Sequence, residues 1–95
     1  MSGFRLVLRS PAAEAIRHLP PDIKRAVKSA VRVLRTNPAA GEPLQGELEG
    51  LWKYRVRRYR LVYKVDRRKS VVDIVAVGQR RTIYEEVTQL LRPEK

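Results

Sequence analysis

The chain lacks cysteine, which excludes disulfides and thiolate metal sites and makes the reducing cytoplasm the expected location. It holds one histidine, His18, with no second histidine or cysteine to share a metal. Near the end of a short predicted helix, His18 reads as a helix-terminal or surface residue. No apolar run approaches the about 18 residues that cross a membrane, and the first residues lack the apolar segment of a signal peptide. Internal repeats and low-complexity tracts are missing too. Acid is scarce: 10 Asp and Glu stand against 21 Lys and Arg, a formal net charge of +11. Ninety-five residues suffice for one domain with a single core. A domain this basic is expected to meet a polyanion, or an acidic protein that masks it. No helix is a basic amphipath with a broad, bulky apolar face, so nucleic acid ranks ahead of membrane.

The cations concentrate in residues 44–63, LQGELEGLWKYRVRRYRLVY. After Gly46 and Gly50, two strands alternate apolar residues with cations. Trp52, Tyr54 and Val56 share one face of the first, Lys53, Arg55 and Arg57 the other. Tyr59, Leu61, Tyr63 and Val65 share one face of the second, and Arg60, Val62 and Lys64 its reverse. A two-residue loop at Arg57 and Arg58 sets Val56 opposite Tyr59, Tyr54 opposite Leu61, Trp52 opposite Tyr63, and Arg55 opposite Arg60. Like charges directly opposed are unfavourable. A face that keeps them, next to Lys53, fits an anion better than water alone.

The flanking segments complete a layer. Phe4–Arg9 reads as a strand, and Ser10-Pro11 as the cap and first residue of a helix that turns Ala12, Ala15, Ile16 and Leu19 inward. Pro20-Pro21 stops it. From Asp22, the residues Ile23, Ala26, Val27, Ala30, Val31 and Leu34 follow the spacing of an amphipathic helix that Asn37-Pro38 ends. Its outer cations Lys24, Arg25, Lys28, Arg32 and Arg35 read as a solvated face. Ala39–Leu51 reads as loop and Asp66–Lys69 as a charged turn. Val71–Val77 has the continuous apolar run of a central strand, ended by Gly78. Thr82 and Glu85 match a capping box, so a last helix with the stripe Ile83, Val87, Leu90 and Leu91 is expected. The order β-α-α-β-β-β-α predicts a single α+β two-layer domain over residues 1–95. It has a mainly antiparallel four-stranded sheet, a helix pair on the side of Trp52, Tyr54, Leu61 and Tyr63, and an open basic face.

Two stretches, LQGELEGLWKYRVRRYRLVYKVD at 44–66 and VVDIVAVGQRRTIYEE at 71–86, carry a resemblance to the RelE/ParE superfamily of toxins from bacterial and archaeal toxin–antitoxin pairs. The leading strand and helix pair match in order and length, so nearly the whole chain is covered. The resemblance implies a RelE-like fold and a ribosome-dependent endonuclease that cuts messenger RNA in the ribosomal A site, silenced by a cognate acidic antitoxin. It implies contacts with the ribosome, including 16S rRNA, and no cofactor. Carried over residue by residue, its catalytic set falls on Lys53, Arg55, Arg60, Arg80 and Tyr84; beside them, Arg57, Arg58, Lys64 and Arg81 are expected as further RNA-binding cations. The sequence departs from some members in having Arg55 where they have lysine, and in a shorter spacing between Arg80 and Tyr84. ParE-like members of the superfamily poison DNA gyrase by protein binding, and a non-enzymatic RNA- or ribosome-binding domain is a third reading.

The residue types suit the nuclease. RNA is cut when its 2′-hydroxyl attacks the adjacent phosphate, leaving a 2′,3′-cyclic phosphate and a 5′-hydroxyl. That route needs a proton acceptor, stabilisation of the phosphorane charge and protonation of the leaving oxygen. With no histidine or carboxylate expected on the cationic face, Lys53 is the base candidate, since neighbouring Arg55 and Arg60 favour its neutral form. Arg60 and Arg80 suit bidentate grip on the phosphate. Permanently ionised arginines are poor general acids, so that role stays unassigned. Tyr84 suits stacking on a base or orienting the 2′-hydroxyl. The antitoxin is expected to fold on contact, covering the cationic face or displacing the last helix.

Overall fold

The computed structural model describes residues 3–91. In chain order they form β1 (Arg5–Leu8), α1 (Ser10–Arg17), α2 (Pro21–Thr36), β2 (Glu42–Pro43), β3 (Trp52–Val56), β4 (Tyr59–Asp66), β5 (Val71–Gln79) and α3 (Ile83–Leu91). The strands make one five-stranded sheet in the order β1-β5-β4-β3-β2. Only the β1–β5 pair is parallel. The α+β class and the element order stand as expected. The additional strand is the two-residue β2, which lies in the segment read as loop.

The expected hairpin register holds at every position: Trp52 pairs Tyr63, Tyr54 pairs Leu61, Arg55 pairs Arg60 and Val56 pairs Tyr59. On the resulting apolar face, α1 and α2 pack Ala12, Ile23, Val27, Ala30 and Leu34 against Val56, Leu61, Tyr63, Val72, Ile74 and Val77. Pro21 opens α2 at a position where its missing N–H costs nothing, which is why the helix starts one residue before Asp22. Similarly, α1 starts at Ser10 itself, with Arg9 in the cap position and no side-chain cap bond.

The reverse face is not open throughout. α3 lies across it, burying Ile83 and Val87 against Leu51, Val62, Val75 and Ala76. A bulge permits this: Val62 pairs Ala76 while Tyr63 pairs Ile74, so the extra residue Val75 lets two consecutive side chains face α3. β5 also runs through Gly78 to Gln79 rather than ending at Gly78. A methyl group on Gly78 would meet Ile83 Cδ1 at 2.9 Å, so glycine is what allows α3 to sit this close. The outer half of the expected α3 stripe is exposed, with Leu90 at 48% and Leu91 at 44%.

Tyr63 ties the loop that carries β2 to the core. Fully buried and stacked on Trp52 at 6.2 Å between ring centroids, it donates its hydroxyl proton to the Pro38 carbonyl at 2.7 Å and accepts from the Gly41 N–H at 3.1 Å. A Cβ on Gly41 would collide with the Lys53 carbonyl and the Tyr63 hydroxyl, so this close approach requires glycine. Burial raises the Tyr63 hydroxyl above the ordinary phenol range, the Gly41 N–H partly offsetting it. The unfolded phenol therefore loses its proton first as pH rises, and the contribution is complete below about pH 10 and declines above it. Tyr63→Phe is expected to cost about 1–3 kcal/mol in urea denaturation at neutral pH. The variant should also show a shallower loss of stability between neutral and strongly alkaline pH than the wild type.

Candidate functional site

The β3–β4 hairpin builds the site around one arginine. Arg57 and Arg58 link the strands, with Arg57 at φ 57°, a left-handed conformation that costs a residue with a Cβ roughly 1 kcal/mol. That geometry sends its guanidinium to Asp22 Oδ2 at 3.2 Å, tying the turn to the first turn of α2. Arg60 follows, flanked in the sheet by Arg55 on one side and Gly78 on the other. It is 9% exposed, the one charged residue in the buried set of the described residues. Its Nη1 donates to the Tyr59 carbonyl at 3.0 Å and to the Arg57 carbonyl at 3.3 Å. No carboxylate forms an ion pair with it among the described residues. Neutral carbonyls compensate a buried cation only in part.

The remainder of the guanidinium looks into a groove of ≈ 630 Å³ lined by Arg55, Arg57, Arg58, Arg60, Gln79, Arg80 and Arg81. Six arginines and no acid line this space. The Arg80 backbone is fixed by its N–H bond to the Arg58 carbonyl at 3.1 Å, which brings the end of β5 alongside the hairpin turn. A second groove of ≈ 410 Å³ shares Arg55 and Arg60 and adds Ala40, Gly41, Glu42, Lys53 and Tyr54. Together they make one cationic channel with Arg60 at the junction. Its field and bidentate donors suit a phosphodiester backbone.

Of the five residues expected to be catalytic, Arg55, Arg60 and Arg80 line the first groove, and Lys53 lines the second with Arg55 and Arg60. Tyr84 lines neither. It packs beside Leu44 and Leu48 on the cluster beneath α3, and the Lys53 Nζ lies 6.0 Å from its ring centroid. Tyr84 thus meets the site through Lys53. Among the further cations, Arg57, Arg58 and Arg81 line the first groove. Lys64 does not: it pairs in register with Asp73 and lines a separate hollow with Arg5, Asp66 and Lys69. The covered residue Val62 lies between Lys64 and Arg60 on that strand face, so the alternation that put both on one side does not put them at one site.

A carboxylate-free face was expected, and two carboxylates overturn it. Glu42 Oε1 lies 3.5 Å from Lys53 Nζ, placed there by the β2–β3 pairing of these two residues. Glu86 Oε1, carried by α3, would be 3.3 Å from a methyl group on Gly78, the register partner of Arg60. The missed signals are a two-residue strand, too short for any periodicity, and a helix folded over the sheet. His18 stays peripheral, its Nδ1 3.0 Å from the Glu14 carbonyl oxygen on its own helix.

Residues 7–84 match the model of the ParE toxin of the type II toxin–antitoxin system parDE. The chain is 32% identical to Toxin RelE of Mycobacterium tuberculosis over 83 residues, covering 85% of this chain and 86% of that protein. It is 37% identical to Toxin RelG of the same organism over 75 residues, covering 77% of this chain and 86% of that one. Among solved structures, the toxin–antitoxin complex RelBE2 from M. tuberculosis contains a chain that superposes with a TM-score of 0.76 at 32% identity. That match covers 82% of this chain and 99% of the other. A mutant of E. coli toxin RelE in the free state superposes with a TM-score of 0.77 at 25% identity, covering 95% and 99%.

A buried cation without a counter-ion is held at a cost that its hydrogen bonds to carbonyls offset in part, and an anion bound beside it offsets the rest. Arg60→Gln is therefore expected to change stability by less than about 1 kcal/mol in dilute buffer. Added sulfate should raise the wild-type melting temperature by several degrees and leave that of the variant nearly unmoved. Calorimetric melts with and without sulfate check both halves.

Proposed function

Because the chain belongs to the ParE toxin family of type II toxin–antitoxin systems and is RelE-like, we propose that it is a toxin acting as a ribosome-dependent messenger-RNA endonuclease. The observation that supports this most is Arg60, buried without an acidic partner and open to a channel lined by arginines. A phosphodiester entering the channel completes the coordination of Arg60.

In this reading the scissile phosphate lies between Arg60 and Arg80, whose guanidinium groups grip its non-bridging oxygens and stabilise the charge that develops as the 2′-oxygen attacks. Arg55, directly across from Arg60, adds to the same field. The 2′ proton passes to the Lys53–Glu42 pair, the place in the channel where a proton acceptor meets a cation. Tyr84 fixes the position of the Lys53 amine from below rather than stacking on substrate. The new P–O bond closes a 2′,3′-cyclic phosphate as the P–O5′ bond breaks, and the leaving oxygen takes a proton from solvent water to give a 5′-hydroxyl. Arg57, Arg58 and Arg81 hold flanking phosphates and contact ribosomal RNA. In the cell the partner is a cognate acidic antitoxin that covers the channel or displaces α3, removing Tyr84 from Lys53. The setting of ribosome, message and antitoxin is the cytoplasm.

Primer extension on a defined message in a purified translation system tests this. Wild type is expected to cut within codons only when ribosomes are present. Arg60→Ala and Arg80→Ala should each lower the cleavage rate by at least about 100-fold. Intact message in the presence of a protein that still arrests growth, with gyrase-dependent DNA breakage, would give the chain the ParE-like activity instead. Cleavage absent while ribosome binding persists would make it a binding domain.

A further inference from the structure

Six of the seven side chains that line the ≈ 630 Å³ groove around Arg60 are arginines, and the seventh is Gln79. An arginine offers N–H donors and no acceptor. It can grip phosphate, which carries no sequence information, or read the O6 and N7 acceptors of guanine. It has nothing to receive the exocyclic amine of a base. The Gln79 amide holds a carbonyl acceptor and an NH2 donor side by side. In this groove it is the one side chain able to take both halves of an adenine edge, the N6 amine and the N7 acceptor.

The fold holds that amide in a fixed place. Gln79 is the last residue of β5, in register with Tyr59 of β4. Its carbonyl accepts the Thr82 N–H at 3.2 Å, and the next N–H along the chain, that of Arg80, is bonded to the Arg58 carbonyl at 3.1 Å. The backbone is thus tied on both sides, while the side chain is exposed. Its amide forms no hydrogen bond among the described residues. By contrast, Arg57 is engaged with Asp22, and Arg60 Nη1 with two carbonyls. An amide on a rigid strand end loses little freedom when it pairs, which favours binding.

We propose that Gln79 is a base-recognition residue, which pairs with the base beside the phosphate held by Arg80 and gives the groove a preference for adenine. Consecutive Cα atoms lie about 3.8 Å apart, so a nucleotide whose phosphate meets Arg80 can set its base against the adjoining amide. The carbonyls of guanine and uracil find donors among the arginines without help. The adenine amine finds its acceptor in Gln79. The path of the RNA rests on the endonuclease reading; the pairing of amide and base is tested apart from cutting.

The test is a cycle between the amide and the base, made with the full chain. The probes are single-stranded 2′-O-methyl oligomers of about eight residues, which 2′-hydroxyl attack cannot cut. One carries adenine throughout, and the other carries purine, the same ring system without the N6 amine. Fluorescence anisotropy is expected to show wild type binding the adenine oligomer about tenfold more tightly than the purine one. Gln79→Met keeps the length of the side chain and drops the amide, and a thermal melt establishes that it folds. It should bind the two oligomers within about twofold of each other. In the purified translation system Gln79→Arg, which offers donors alone, should move cutting from adenine towards guanine at the cut position. Wild type that binds both oligomers alike overturns the proposal, as does a Gln79→Met variant with the full wild-type preference. If wild type leaves the message intact while the oligomer cycle behaves as described, the endonuclease reading fails and the role of Gln79 stands.

Discussion

A guanidinium held inside the protein without an acid is the constraint around which the basic half of this fold is arranged. Arg60 sits in the middle of a central strand, and its neighbours in the sheet are another arginine and a glycine. Gly78 leaves room for Ile83 of α3, which packs on Val62, Val75 and Ala76 of the same sheet face. The turn carbonyls of Arg57 and Tyr59 orient the group, and the left-handed turn residue Arg57 is held by Asp22 of α2. Each feature costs some stability: an opposed pair of like charges, a residue with positive φ, a buried ion lacking its counter-ion. Such costs are tolerated where they prepare a surface for a ligand, and the ligand proposed above brings negative charge.

Much of this was legible in the sequence because the hairpin alternates so strictly. With Trp52, Tyr54, Leu61 and Tyr63 on one side and Arg55 and Arg60 on the other, a slipped register would have buried cations and exposed aromatics. The facing arginines followed from that alone, as did the amphipathic course of α2 and the apolar run of β5. What was not legible depends on contacts without periodicity. Glu42 reaches Lys53 through a strand of two residues, positioned by Tyr63 bonds to Pro38 and Gly41 that span more than twenty residues of sequence. The bulge at Val75 shifts which side chains of β5 face α3, and thereby covers Val62 and separates Lys64 from Arg60. Alternation assigns a residue to a face; it does not say what lies across that face.

The same scaffold serves members named for RelE and for ParE, so the fold cannot decide between cutting RNA and binding a protein. In the proposed reading the distinction lies in how the cations are held. Exposed arginines scattered on a surface would suit either partner. An arginine buried among carbonyls, lining a channel with a second arginine whose backbone is fixed at its rim, suits a group with oxygens on several sides. In the proposed chemistry Arg60 and Arg80 meet the phosphate, while Lys53, with Glu42 beside it and Tyr84 beneath it, handles the proton.

The most direct test of that chemistry is a message carrying a single 2′-deoxynucleotide at the position that wild-type protein cuts, translated in the purified system beside the unmodified message. If the neighbouring 2′-oxygen is the nucleophile, cleavage at that position should vanish while ribosome binding and translation up to the codon continue, and the unmodified message should yield 5′-hydroxyl ends. Cleavage of the deoxy message at an undiminished rate, or 5′-phosphate ends, would mean that water attacks instead and that the roles given to Lys53 and Glu42 are wrong.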